Sequence, residues 1–240
     1  DTCDPYSGEG CSLSGDSCSI GENRAPIWEP RAYVREGIEY YRETFSLLPS
    51  VFRSWNPEEY LVESSTFSGN LESDTIVMEI MDPSCQFCRD QWINLQESEA
   101  FTKAKVTYLL YPIPFTDLQG YRFENSYYLS TIIESLKSIE QDKEFLDIFF
   151  LSYQEESVRT PRSDVEELIS TILREELDLS DSEIQAVQER AESESVQNSL
   201  LEQSRIVEEE IITRKIPTLF VGNDRFDRVI SEERIDQALP

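Results

Sequence analysis

Apolar residues along the chain alternate between two rhythms, short continuous runs and longer stretches at helical spacing. From Pro30 to Leu48, Tyr33, Val34, Ile38, Tyr41, Phe45 and Leu48 recur on one face and predict an amphipathic helix, closed by Pro49 and Pro57. Tyr60-Leu61-Val62-Glu63-Ser64 reads as a short strand, and Ser68-Gly69-Asn70 as a turn. Thr75 to Met81 is apolar almost throughout and partly β-branched, which predicts a strand buried on both faces. Asp82-Pro83-Ser84 ends it. Phe87, Gln91, Trp92 and Leu95 then set a helical period running to Phe101, and Lys105 to Tyr111 reads as another strand. That strand, helix, strand order implies a right-handed crossover between parallel strands.

About 90 residues of mostly helical pattern follow. Tyr121 to Tyr153 carries Tyr128, Ile132, Ile133, Leu136, Ile139, Phe145, Ile148 and Phe149 at helical spacing. Ser163-Asp164-Val165-Glu166 has the form of a capping box, and Ser180-Asp181-Ser182-Glu183 opens a further helix reaching toward Ile212. Between Ala186 and Glu210 there are seven acids and two bases, which reads as a solvated helix face. Ile216 to Val221 reads as a strand, Gly222 to Arg225 as a turn and Phe226 to Val229 as its antiparallel partner. Ser231 caps a last helix reaching Leu239. No internal repeat is apparent.

Composition narrows the function classes. The 240 residues carry 48 acids against 21 bases, a net charge of -27 that repels phosphate backbones and argues against nucleic acid as a partner. Such a surface repels itself at low ionic strength, so it fits either a salt-rich setting with a short Debye length or an ordinary acidic secreted protein. No apolar run approaches the roughly 18 residues of a membrane span. The sequence opens Asp1-Thr2-Cys3, without Met or an apolar leader, which reads as a processed or trimmed start, consistent with a removed signal peptide. Residues 1 to 29 form a Gly- and Pro-punctuated segment holding Cys3, Cys11 and Cys18. In an oxidising compartment two of these would pair, leaving the third for lipid, a partner or a free thiol.

The chemistry centres on Cys85-Gln86-Phe87-Cys88. Structural zinc wants four ligands, and this chain has no His and no second cysteine pair outside its first segment. A purely structural bridge across one helical turn closes too small a loop to restrain the unfolded chain. Redox exchange is the reading left. A cysteine at the junction of a buried strand and a helix faces unpaired backbone N–H groups and the positive end of the helix dipole. Those favour a nucleophilic thiolate at Cys85, with Cys88 one turn deeper as the resolving thiol.

The segment from Gly69-Asn70 through Thr75 to Cys88, taken with Ile216-Pro217-Thr218-Leu219-Phe220-Val221-Gly222, resembles the DsbA-like branch of the thioredoxin superfamily. The likeness covers roughly residues 58 to 240. It implies an α/β protein, a thioredoxin fold with a helical domain inserted between the third and fourth strands. Its parts would be a Cys-containing flexible segment (1–29), an N-terminal helical extension (30–57), the first thioredoxin part (58–115), the insertion (116–213) and the second thioredoxin part (214–240).

The resemblance further implies that Pro217 is cis and stands beside Cys85, so that Ile216 offers its backbone to an extended peptide together with Gln86 and Phe87. Glu79, six residues before Cys85, matches the family's buried acid, which assists proton transfer at the deeper cysteine; the alternative is an outward-facing strand residue. Lys105, or else Lys103, would pair with Glu79 from the neighbouring strand. No cofactor beyond a redox-active Cys85–Cys88 disulfide is implied. The expected partners are unfolded or cysteine-containing proteins and a membrane redox partner that reoxidises the pair, in an extracytoplasmic setting. Many DsbA-like oxidases carry Pro and His between the cysteines, where this chain has Gln86 and Phe87. That departure leaves reductase or isomerase activity open, and a non-catalytic peptide-binding or chaperone module is the rival from another class.

Overall fold

The structure, a computed structural model, describes residues 55–114, 125–153, 161–213 and 215–240. The expected cysteine segment and the helix over Pro30 to Leu48 lie outside them. A five-stranded sheet of order β1-β3-β2-β4-β5 is built from β1 (Ser68–Gly69), β2 (Ile76–Met81), β3 (Lys105–Leu110), β4 (Thr218–Val221) and β5 (Asp224–Phe226). β2 and β3 run parallel, joined by α1 (Gln86–Glu97) and the short α2 (Ala100–Lys103), while β4 runs antiparallel to β2 and β5 to β4. A βαβ unit extended by an antiparallel hairpin is the result. All six residues of β2 are buried, as a central strand covered on both faces requires.

Alternation divides the sheet's side chains. Val77 and Met81 of β2, Val106, Tyr108 and Leu110 of β3, and Leu219 and Val221 of β4 face a core shared with α1 and the inserted helices. Ile76, Met78, Ile80, Leu109 and Phe220 face a second core with Tyr60, Ile206, Val207 and Ile211. Within α1, Cys88, Gln91, Trp92 and Leu95 are the buried positions, a spacing of three and four that puts them on one stripe against the first core. Trp92 meets Phe101 and Tyr108 edge to face, and its indole N–H donates to Asp147 at 2.8 Å.

The helical elements between β3 and β4 are α3 (Ser126–Leu136), α4 (Asp142–Ile148), α5 (Arg162–Thr171), α6 (Asp181–Ala191) and α7 (Glu194–Arg205). The insertion between the third and fourth strands is therefore as expected, as is α8 (Glu232–Ala238) at the end of the chain. The insertion has a polar interior of its own. Lys137 Nζ lies 2.8 Å from Glu134, whose carboxylate also accepts from Ser199 Oγ at 2.6 Å and Gln203 Nε2 at 3.1 Å. Gln203 then accepts the Leu110 backbone N–H at 2.8 Å, fixing the insertion to β3.

Local expectations shift in three places. Tyr60 to Ser64 is not a strand: Pro57–Tyr60 forms a 3-10 turn capped by Asn56, and the edge strand is Ser68–Gly69, within the stretch read as a turn. Gly69 has φ +79, and a Cβ there would lie 2.6 Å from the Ala104 carbonyl oxygen, so a close backbone approach, not apolar patterning, places β1. Ser163 does not cap a helix, because α5 begins at Arg162 after Pro161 and Arg162 holds Glu166 at 2.8 Å. The last hairpin turns in two residues, Gly222 and Asn223, so β5 is Asp224–Phe226 rather than Phe226 to Val229.

Candidate active site

Cys85 is the N-cap of α1, with extended backbone angles (φ -90, ψ 119) and a carbonyl that accepts the N–H groups of Cys88 at 3.0 Å and Arg89 at 3.1 Å. The helix starts there because Asp82-Pro83-Ser84 turns the chain sharply out of β2. Asp82 Oδ1 accepts the Ser84 N–H at 2.9 Å, and its backbone carbonyl accepts the Cys85 N–H at 2.9 Å. Both cysteines are free thiols here. Cys85 keeps 5% exposure and Cys88 none, so Cys88 is the deeper of the two sulfurs.

Their acidities separate accordingly. The Cys85 thiol is lowered from 9 to about 7, first by a hydrogen bond from the Cys88 side chain, against the cost of burial, and then by the backbone N–H groups of Cys88 and Phe87. The negative charge of Asp82 pulls the other way. Burial, the hydrogen bond it gives to Cys85 and the nearby charge of Cys85 push the Cys88 thiol well up. Cys85 is the member of the pair that is ionised near neutrality.

Glu79 lies on the Val77 and Met81 face of β2, the side that carries the cysteines, and is wholly buried. Neither of its oxygens has a hydrogen-bond partner. Burial, and then the charge of Cys85, raise its carboxyl well above the usual range. The expected partner is a correction. In the parallel ladder Lys105 stands opposite Ile76 and Tyr108 opposite Glu79, which leaves Lys105 about 10 Å away along the strand. Lys103 pairs with Glu99 on its own helix. Register, which the sequence does not display, decides this.

The Ile216–Pro217 peptide is cis. β4 pairs Thr218 with Ile80, so Pro217 stands one step further on, level with Met81 at the exit toward the active-site turn. Ile216 is half-buried and packs against the core cluster that contains Cys85 and Cys88. Gln86 is exposed, and Phe87 is 63% exposed, unusually open for a phenyl ring beside a buried thiol.

Sequence reasoning missed two contributors. Asp82 was read only as the end of a strand, yet it is wholly buried and takes hydrogen bonds from three segments: Ser84 N–H, Ile113 N–H at 3.0 Å and Ser126 Oγ at 2.7 Å. The Asx-turn form of Asp-Pro-Ser was the available signal. Arg89 donates to the Phe150 carbonyl at 2.7 Å and joins α1 to the insertion; nothing local in the sequence marks that long-range contact.

No protein-family profile and no curated protein matches the sequence. Solved structures do match. The thioredoxin-like oxidoreductase from Silicibacter pomeroyi DSS-3 superposes with a TM-score of 0.57 at 17% identity, covering 75% of this chain and 92% of that one. The thiol-disulfide exchange protein alpha-DsbA2 from Wolbachia pipientis gives 0.57 at 11% identity, over 85% of this chain and 97% of that one. Wolbachia pipientis alpha-DsbA1 gives 0.56 at 10% identity, over 74% and 92%. The fold is the DsbA-like form of the thioredoxin fold, with its helical domain between the third and fourth strands.

Proposed function

We propose that this chain is a protein thiol-disulfide oxidoreductase that oxidises cysteine pairs of extracytoplasmic proteins through a Cys85–Cys88 disulfide. The observation that carries the reading is Cys85 at the head of α1 with a thiol lowered to about 7, one turn from a fully buried Cys88. A substrate thiolate attacks Cys85 Sγ, the Cys85–Cys88 bond breaks, and its electron pair leaves on Cys88, which takes up a proton. A second substrate thiolate then attacks the substrate sulfur of the mixed disulfide and releases Cys85 as thiolate. The substrate gains a disulfide and the protein is left as dithiol. No cofactor beyond that disulfide takes part. Glu79, uncharged and buried on the cysteine side of the sheet, is suited to exchange the proton of Cys88.

Around the cysteines, Gln86, Phe87, Ile216 and Pro217 form the surface that meets an unfolded or cysteine-containing substrate. Phe87 supplies apolar contact. A membrane redox partner or small disulfides reoxidise the pair, in a periplasmic, cell-surface or secreted setting. No helix among the described residues is long and apolar enough to cross a membrane.

One observation favours the reductase or isomerase reading of the same fold. A Cys85 thiol near 7 is far less acidic than that of the strongest disulfide oxidants, whose thiolates titrate around 3.5. Equilibration with reduced and oxidised glutathione separates the two. An oxidase stands as dithiol under buffers that keep a reductase disulfide-bonded, and a strongly reducing potential overturns the oxidation reading. Loss of oxidative refolding of a reduced substrate in Cys85→Ser tests exchange itself; retained activity gives the protein to the non-catalytic reading.

A further inference from the structure

The buried carboxylate of Asp82 has more ties than a turn needs. One hydrogen bond, from Ser84, closes the turn. Two others reach elsewhere: Oδ2 accepts the Ile113 N–H just beyond β3, and both oxygens lie 2.7 Å from the hydroxyl of Ser126, the first residue of α3. The same residue's carbonyl holds the Cys85 N–H. One side chain thus joins the cysteine turn at the exit of β2, the exit of β3 and the first helix of the insertion. We propose that Asp82 is a positioning residue that locks the insertion to the Cys85 turn and, through its negative charge, restrains the oxidising strength of the Cys85–Cys88 pair.

The inference rests on the thiol-disulfide exchange reading. Its physics is a balance of charges at short range. Oxidising strength rises with stabilisation of the Cys85 thiolate, because that thiolate belongs to the reduced protein. A carboxylate three residues away in a dry turn opposes the thiolate, as the upward pull of Asp82 on Cys85 reflects. Donors on that carboxylate moderate the opposition, since each N–H or O–H spreads its charge. Ser126 is one of those donors, so the docking of α3 and the restraint on Cys85 are linked through one group.

Two substitutions push this balance in opposite directions. Asp82→Asn removes the charge while retaining an oxygen for Ser84 and Ser126. The Cys85 thiol becomes more acidic, and the equilibrium constant with glutathione shifts about three- to tenfold toward dithiol protein. Ser126→Ala keeps the charge but strips its hydroxyl donor, so Cys85 becomes less acidic and the constant shifts roughly twofold toward the disulfide. Amides of the first turn of α3 exchange faster with solvent in both variants.

A purely structural loosening of the turn moves both equilibrium constants the same way, and that result overturns the proposal. So does an Asp82→Asn constant within twofold of the wild type. If Asp82→Asn does not fold, Ser126→Ala decides alone: no shift, or a shift toward dithiol, refutes the restraint. A wild type that forms no reversible Cys85–Cys88 disulfide removes the exchange reading itself, a result distinct from either variant outcome.

Discussion

Replacing Cys88 with Ala isolates the largest influence on the reactive thiol. The fall of the Cys85 thiol from 9 to about 7 is a preference for thiolate on the order of 3 kcal/mol, and the Cys88 side chain is the first of its causes. The backbone N–H groups of Phe87 and residue 88 remain in the variant, as does the burial that opposes them. We expect Cys85 to titrate about one pH unit higher or more, so that the thiolate fraction at pH 7 drops from about one half to about one tenth and alkylation slows about fivefold. Thiolate absorbance against pH, read as the difference from the Cys85→Ser, Cys88→Ala protein, measures it. The same thiol is linked to the stability of the dithiol form. Its folded value lies below its ordinary one, so its contribution is fully present above pH 9 and is lost as pH falls through about 7. The wild type should therefore gain on Cys88→Ala between pH 7 and 9, over a constant difference from the lost side-chain volume. A variant still titrating near 7 would show that the helix N-terminus alone holds the thiolate, and a wild type titrating near 9 would refute the site as drawn.

Two further substitutions probe the support of the site. Glu79 carries a carboxyl raised by burial, so the unfolded chain gives up its proton first and folding stability declines as pH rises above the ordinary Glu range. Glu79→Gln should thus raise the denaturation midpoint relative to wild type more at pH 8 than at pH 4, while slowing the steps in which Cys88 gains or loses a proton. Equal midpoint differences at the two pH values would contradict the buried, uncharged acid. Gly69→Ala places a methyl 2.6 Å from the Ala104 carbonyl at φ +79, and should cost about 1–3 kcal/mol in chemical denaturation; a neutral result would mean the edge strand readily moves away.

What could be read from the sequence was whatever depends on local pattern. The strand before Cys85, the helix after it and the insertion needed only period and punctuation. The two Ser-x-x-Glu segments show where pattern stops. Ser180 and Glu183 form the reciprocal capping box, whereas Ser163 and Glu166 do not, although both begin Ser-Asp. The difference is tertiary: Arg162 lies over the Tyr128 ring, its guanidinium carbon 3.3 Å from the ring centroid, and draws Glu166 into an ion pair, which commits the helix start two residues earlier. Lys105 failed for a related reason. Choosing it for Glu79 required the register of a parallel ladder, and a three-residue offset separates a neighbour from a stranger.

Asp82 and Glu79 together explain why the direction of exchange was the least legible property. Both are acids within six residues of Cys85, yet only Asp82 is held by three hydrogen-bonding segments, while Glu79 has no donor at either oxygen. Donors keep a buried carboxylate charged and their absence keeps it protonated. On the proposed reading the two acids act oppositely on the pair, Asp82 opposing the Cys85 thiolate and Glu79, its carboxyl raised by burial, exchanging the proton of Cys88. Two cysteines at redox spacing suggest thiol-disulfide exchange but carry no information on its potential. In the proposed balance the potential depends on the donors around Asp82, and two of these come from Ile113 and Ser126, 28 and 41 positions beyond Cys85 in the chain.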